Sequence, residues 1–140
     1  MINAKHLMIG NLFTDDQNEI LKIDLIDSIE ETVNANGMEN ISISDLIPLP
    51  LTEDILLKCG FSKCKPCKDF ELDMPYFALE GVLLFYNESR TEYESMDYYI
   101  GYAEMRGGKY YAVGIKWIKY LHTLQNNFHS FKQKELTVQL

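Results

Sequence analysis

Residues 98–131 read YYIGYAEMRGGKYYAVGIKWIKYLHTLQNNFHSF, and their pattern sets the fold class. Gly107-Gly108 is a dipeptide that accepts the positive φ values of a two-residue β-turn. Counting outward predicts a hairpin in which Arg106 faces Lys109, Glu104 faces Tyr111, Tyr102 faces Val113, Ile100 faces Ile115 and Tyr98 faces Trp117. Side chains alternate along a strand, so these pairs share one face, which beyond Glu104 is apolar and reads as the core side. The other face carries Tyr99, Gly101, Ala103, Met105, Tyr110, Ala112, Gly114 and Lys116. Its small residues suit something lying close against the sheet, or a weakly covered side. After Trp117 the period changes. Leu121, Leu124, Phe128 and Phe131 fall on one stripe of a helix, predicted over 118–131 and expected to lie on the hairpin.

The rest of the chain supplies more short strands. Residues 4–13 read as a first strand, 15–18 as a turn and 19–26 as a returning strand, which is how small SH3-like barrels begin. Residues 27–40 are polar and acidic with a turn at Asn36-Gly37, and Ile41 and Ile43 suggest a short strand. Pro48 and Pro50 hold an extended segment. Thr52 then reads as an N-cap, Glu53 and Asp54 as a first turn, Ile55 to Leu57 as an apolar side and Gly60 as the stop of a short helix over 52–59. Residues 62–69 form a basic loop, 70–72 a short strand, and 76–86 one strand or two, divided at Glu80-Gly81. Residues 87–97 read as a polar loop, and Glu135 to Val138 as a last strand. The expectation is a single α+β domain over 1–140: an antiparallel sheet with SH3-like N-terminal strands over 1–47, a short middle helix, and a C-terminal hairpin followed by an amphipathic helix.

At 140 residues the chain is long enough to bury a core without disulfides or metal. No apolar run approaches a membrane span, and Gly10-Asn11 interrupts the N-terminal segment too early for a signal peptide. Three cysteines and no secretory signal point to a reducing compartment, the cytoplasm by default. The formal net charge of −8 disfavours a general nucleic-acid binder. The charge is uneven, however. Residues 105–134 hold Arg106, Lys109, Lys116, Lys119, Lys132 and Lys134 and no acid. Those lysines either face water and acidic neighbours or form a basic surface for an anionic partner.

Motifs that would announce chemistry are weak. Cys59, Cys64 and Cys67 match three ligands of a plant-type iron–sulfur site, but a fourth cysteine is missing. Cys64-Lys65-Pro66-Cys67 has thioredoxin-like spacing without the helix start that activates such a thiol. Zinc would need further ligands; His122 and His129 are the available nitrogens, and each also reads as a boundary residue flanking the helix's apolar stripe. Cys64 and Cys67 are therefore the metal candidates, a plain pair of loop thiols being the simpler reading. No nucleophile elbow or phosphate-binding glycine loop is present, so no catalytic residue or cofactor is assigned. Nine tyrosines, four of them in Tyr98-Tyr99 and Tyr110-Tyr111, suggest contact area for an unidentified protein partner or a second copy. The candidate partner surface is Tyr99, Tyr110, Lys109, Lys116 and Lys119.

Three blocks, Ile9 to Phe13 (IGNLF), Ile47 to Phe61 (IPLPLTEDILLKCGF) and Ile118 to Asn126 (IKYLHTLQN), resemble in order a group of small uncharacterised proteins from Bacteroidetes genomes, their phages and mobile elements. The likeness spans the chain and implies membership without an activity. With the missing catalytic motifs and the aromatic surface, the expectation is a non-enzymatic protein-binding or accessory protein of a phage or mobile element, the alternatives being nucleic-acid binding through the basic stretch 105–134 and an enzyme with an unrecognised site. The sequence departs from the pattern at Ser130-Phe131-Lys132-Gln133, where relatives carry a Leu-Thr-Gly turn, and the C-x-x-C pair lies outside the likeness.

Overall fold

The computed structural model describes residues 2–65, 74–86 and 97–140, and at Lys109 and Tyr110 the backbone alone. In chain order the strands are β1 (Leu12–Thr14), β2 (Ile20–Asp27), β3 (Thr32–Ala35), β4 (Met38–Ser42), β5 (Ile47–Pro48), β6 (Ser62–Cys64), β7 (Tyr76–Leu79), β8 (Val82–Phe85), β9 (Tyr98–Arg106) and β10 (Lys109–Ile118). The helices are α1 (Glu53–Lys58) and α2 (Leu121–Lys132). They form an α+β chain with two antiparallel five-stranded sheets. One compact unit comprises Met1–Pro50 with Tyr120–Glu135, and the other Leu51–Lys119 with Leu136–Leu140.

In the first unit the strand order is β4-β3-β2-β1-β5. The turn after β1 is made by Asp15, whose Oδ1 accepts from the N–H groups of Gln17 and Glu19, each at 2.9 Å. Along β2, Leu21 and Ile23 are buried while Lys22 and Asp24 are exposed, the alternation of a strand with one face on a core. Asn36 and Gly37, at φ 52° and 80°, close the β3–β4 hairpin as a two-residue turn. The core gathers Leu7, Phe13, Leu21, Ile23, Val33, Ala35, Ile43 and Leu46. Register shifts in β2 against β3 and in β3 against β4 bend the ribbon round this core.

Three expectations here need correction. The strand predicted over 4–13 is a 3-10 turn, Ala4–His6, followed by a strand of only three residues. Asn3 nucleates the turn by accepting from the Lys5 N–H, and Gly10, at φ +93°, breaks the extended run. The polar stretch 27–40 contains β3, whose inward Val33 and Ala35 are enough to bury it; Ile43, expected in a strand, opens a second 3-10 turn, Ile43–Asp45. The third correction concerns α2. Its stripe is real, with Leu121, Leu124 and Phe128 buried, but the helix belongs to this unit and lies against β1, where the hairpin was expected to receive it. Its C-terminus is Gln133 in the left-handed conformation, donating its N–H to the His129 carbonyl.

Amide side chains fix that docking. Gln125 donates from Nε2 to the Gly10 carbonyl (3.0 Å) and accepts at Oε1 from the Leu12 N–H (2.9 Å). Asn126 donates to the His6 carbonyl (2.7 Å) and accepts from the Asn11 side chain (2.8 Å), whose own Oδ1 accepts from the Met8 N–H (2.8 Å). Asn11 and Gln125 are 2 % and 9 % exposed, so the Gln125 bonds are made away from water, while the Asn126 bond to His6 lies at the surface. Gly10 suits this place through its positive φ of +93°, which turns the carbonyl to the helix; the end of the flexible Glu135 side chain lies where a Cβ would be.

In the second unit the order is β10-β9-β8-β7-β6. Helix α1 follows expectation: Thr52 Oγ1 accepts from the Ile55 N–H, Leu56 is fully buried, and Gly60 stops it at φ +93°. Residues 76–86 form two strands, because Glu80 and Gly81, at φ 48° and 86°, make a two-residue hairpin turn between β7 and β8. Phe77, Tyr86 and Tyr98 pack as an aromatic triad with centroids 5.4 to 6.1 Å apart. Residues 135–138 form no strand; beyond them the Gln139 N–H donates to the Lys58 carbonyl. The strand expected at 70–72 lies outside the described residues.

The β9–β10 hairpin turns at Gly107-Gly108 and keeps the expected register as far as Tyr102 opposite Val113. A bulge between Gly114 and Lys116 then shifts it. Ile100 faces Lys116, Tyr99 faces Trp117 and Tyr98 faces Ile118, where Ile115 and Trp117 had been expected opposite Ile100 and Tyr98. The Tyr99 ring lies over Gly114, so the expected close neighbour of the small-residue face is a side chain of the hairpin itself.

Replacing Gln125 with leucine keeps the packing volume but strips two buried backbone groups of their partners. The expected loss is about 2–4 kcal/mol in denaturant unfolding, against a change within roughly 0.5 kcal/mol for exposed Lys132→Ala.

Candidate functional site

The bulge decides what the hairpin shows to solvent. Cross-strand partners place Cys64, Tyr76, Phe85, Tyr99 and Trp117 in one row across all five strands. The row runs from buried Tyr76 and Phe85, 5.6 Å apart, through half-buried Tyr99 to Trp117, which is 54 % exposed and 5.1 Å from the Tyr99 ring. Ile115, the extra residue of the bulge, is 44 % exposed, and Met105 and Tyr111 are exposed toward the turn. Ile115 and Trp117 had been placed on the core face. One inserted residue moves Trp117 to the opposite face, since side chains alternate with period two.

Of the residues proposed for a partner surface, Lys116 is exposed on β10, and Lys119 follows it with Nζ 3.9 Å from Asp97. Lys109 and Tyr110 lie in β10 opposite Arg106 and Met105. Lys132 and Lys134 are exposed at the end of α2 in the first unit, so the basic residues of 105–134 are divided between the units. No described helix is long and apolar enough to cross a membrane.

The thiols differ. Cys59 is buried at the end of α1, and burial pushes its thiol up to about 12, the reverse of what a nucleophile or metal ligand requires. Cys64 is half-buried in β6, its thiol 3.5 Å from the Ser62 carbonyl. Cys67, its expected partner, lies outside the described residues. Among the described residues no group of three metal-type side chains gathers.

A second feature arises in the first unit from a residue first read as a helix boundary. His122 is only 8 % exposed, with its ring 4.8 Å from Phe13 and nearly parallel to Tyr120 at 5.9 Å. Its Nδ1 is sealed from solvent with no hydrogen-bond partner among the described residues. Burial, followed by the charge of His6, lowers its pKa to about 4. The imidazole lines a cleft of about 490 Å³ together with Tyr120, His6, Asn3 and Ser44. The clue in the sequence was the width of the buried stripe. His122 and Gln125, three apart, sit beside Leu121, Leu124 and Phe128, and an apolar stripe alone does not reveal that polar flank.

Two outcomes follow. His122 is neutral in the folded state down to about pH 4 but protonates near 6.5 when unfolded. The unfolded chain therefore binds the extra proton, and stability that is complete above pH 6.5 falls as the pH drops toward 4. The expected share is on the order of 2 kcal/mol, read as a steeper pH dependence of urea unfolding in the parent than in His122→Phe; parallel curves would contradict it. In the native protein, iodoacetamide should label Cys64 well before Cys59, with Cys59 reacting after denaturation, as mass spectrometry can follow.

Set beside known proteins, the chain matches no family model, no curated protein and no solved structure.

Proposed function

We propose that the protein acts without catalysis, as an accessory protein of a phage or mobile element that binds another protein through the outer side of the β9–β10 hairpin. One observation carries this reading. Met105, Tyr111, Ile115 and Trp117 are large apolar side chains left exposed on a single hairpin, whose outer strand ends the sheet. Exposed apolar residues scattered singly are ordinary, but Ile115 and Trp117 stand together at the bulge, with Met105 on the Trp117 face and Tyr111 on the opposite one, and tryptophan is among the residues enriched as anchors of protein interfaces. Among the described residues strand β10 has no neighbour on its outer side in the sheet order, so a partner strand, including that of a second copy, can extend the sheet there. Lys116, within the same stretch, favours a partner with acidic flanks.

We read the first unit as an SH3-like barrel. The order β4-β3-β2-β1-β5, the bent β2 and the 3-10 turn between β4 and β5 support that shape. Such barrels serve many roles, so the shape adds a scaffold and no activity. Nucleic-acid binding through Lys109, Lys116, Lys119, Lys132 and Lys134 is the alternative.

The test compares the parent with Trp117→Ala/Ile115→Ser in affinity capture from the native host and in sedimentation of the purified protein. Both sites are exposed, so the variant should fold as the parent does. Capture of a protein, or self-association, is expected to weaken at least about tenfold. Unchanged binding would rule out the hairpin surface. Binding to nucleic acid that fades steeply with added salt would favour the lysine reading.

A further inference from the structure

The cleft beside His122, in the first unit, is independent of the hairpin surface and has the makings of a ligand site. Its polar side is built of donors. Tyr120 caps α2 from an extended backbone without a side-chain hydrogen bond, and the first turn of the helix contains no acidic residue. The Leu121 N–H is taken by the Leu49 carbonyl at 2.8 Å, whereas among the described residues no acceptor meets the N–H groups of His122 and Thr123. The start of α2 thus keeps its partial positive charge uncompensated.

His122 adds a directed donor. A buried N–H lacking an acceptor costs more than a bare lone pair, so the sealed Nδ1 assigns the ring proton to Nε2. The ring is thereby held as a neutral donor in the cleft wall. Asn3 contributes an amide whose oxygen is already engaged by the Lys5 N–H, leaving its NH₂ for a ligand, and Ser44 lines the cleft with a hydroxyl that shares a 2.8 Å hydrogen bond with that of Ser42. The remaining wall is aliphatic: Ile2, Ile43, Leu46 and Pro48. None of the residues lining the cleft is acidic, and none is a lysine or arginine.

We propose that this cleft binds a small organic carboxylate, its apolar body against Ile2, Ile43, Leu46 and Pro48 and its carboxylate at the start of α2 beside His122. The charge inventory selects the class. A helix start offers roughly half a positive charge, enough to favour one negative charge, while a phosphate dianion calls for the lysines or arginines that this wall lacks. A volume near 490 Å³ lies within the range of small-ligand pockets. The donors without a protein acceptor are the stronger indication, because a ligand carboxylate can take the place of the water that meets them in the cleft.

The experiment titrates the full chain with benzoate, benzyl alcohol and inorganic phosphate, following the imidazole and Tyr120 resonances by NMR. Benzoate should give saturable shifts at His122 and Tyr120, and benzyl alcohol, with the same body and no charge, should bind at least about tenfold more weakly. His122→Phe should weaken benzoate by about tenfold or more. If that variant folds poorly, Ile2→Asp tests the same site, since Ile2 is half-buried outside the strands and helices and an added carboxylate there repels the ligand's. Absence of saturable shifts at these residues, equal affinity for benzyl alcohol, binding of phosphate with no response to benzoate, or full affinity in both variants would each overturn the proposal.

Discussion

A single primary amide does for β1 what a neighbouring strand would otherwise do. Strand β5 pairs with β1 only at Phe13 and Thr14, so the Gly10 carbonyl and the Leu12 N–H would face the interior without partners. Gln125 meets both, donating to one carbonyl and accepting from one N–H, the pattern of a β-ladder delivered from a helix. The arrangement also fixes the helix. Because Gln125 must reach β1, the buried stripe of Leu121, Leu124 and Phe128 has one rotational setting, and His122 in the same first turns is carried into the cleft wall. Core, helix docking and candidate ligand site all follow from that pair of hydrogen bonds. They also tie together two distant segments of the chain: Gly10, Asn11 and Leu12 from its start, Gln125 and Asn126 from near its end.

Much of the fold was legible because it is encoded locally. Positive-φ dipeptides at Asn36-Gly37 and Gly107-Gly108, the Thr52 cap, the Gly60 stop and the period of α2 each act over a few residues, and each stands where the sequence placed it. What failed was non-local. The helix was assigned to the hairpin because the hairpin was adjacent and apolar, whereas its partner was settled by side-chain amides more than a hundred residues from β1. The bulge at Ile115 was invisible for a related reason. It adjoins Gly114, over which the Tyr99 ring lies, a contact with no signature in alternation.

The candidate sites were legible only in part, and the reasons are again physical. Tyr99 and the lysines of β10 could be marked from composition, but the exposed anchors Ile115 and Trp117 were taken for core, since hydrophobicity alone does not say which face a bulge will present. His122 looked like a boundary residue because periodicity treats a histidine beside a leucine as an edge. Its burial depends on Phe13 and Tyr120, which close round the ring from β1 and the helix cap. A histidine without partners inside a wall of donors is a property of assembled surfaces, and no run of residues displays it.

The division of the chain has a consequence for its synthesis. The first unit needs residues 120–135, yet its other part ends at Pro50, with the strands β6 to β10 made in between. During translation the β1–β5 ribbon therefore emerges with the Gly10 carbonyl and the Leu12 N–H unmet. At about 5–20 residues per second the missing helix arrives on the order of ten seconds later. Sheet β6–β10 connects consecutive strands and can close as it leaves the ribosome, while the N-terminal ribbon waits with an open flank. The nascent chain thus completes its interior out of chain order, its first-made segment waiting on a helix made near the end.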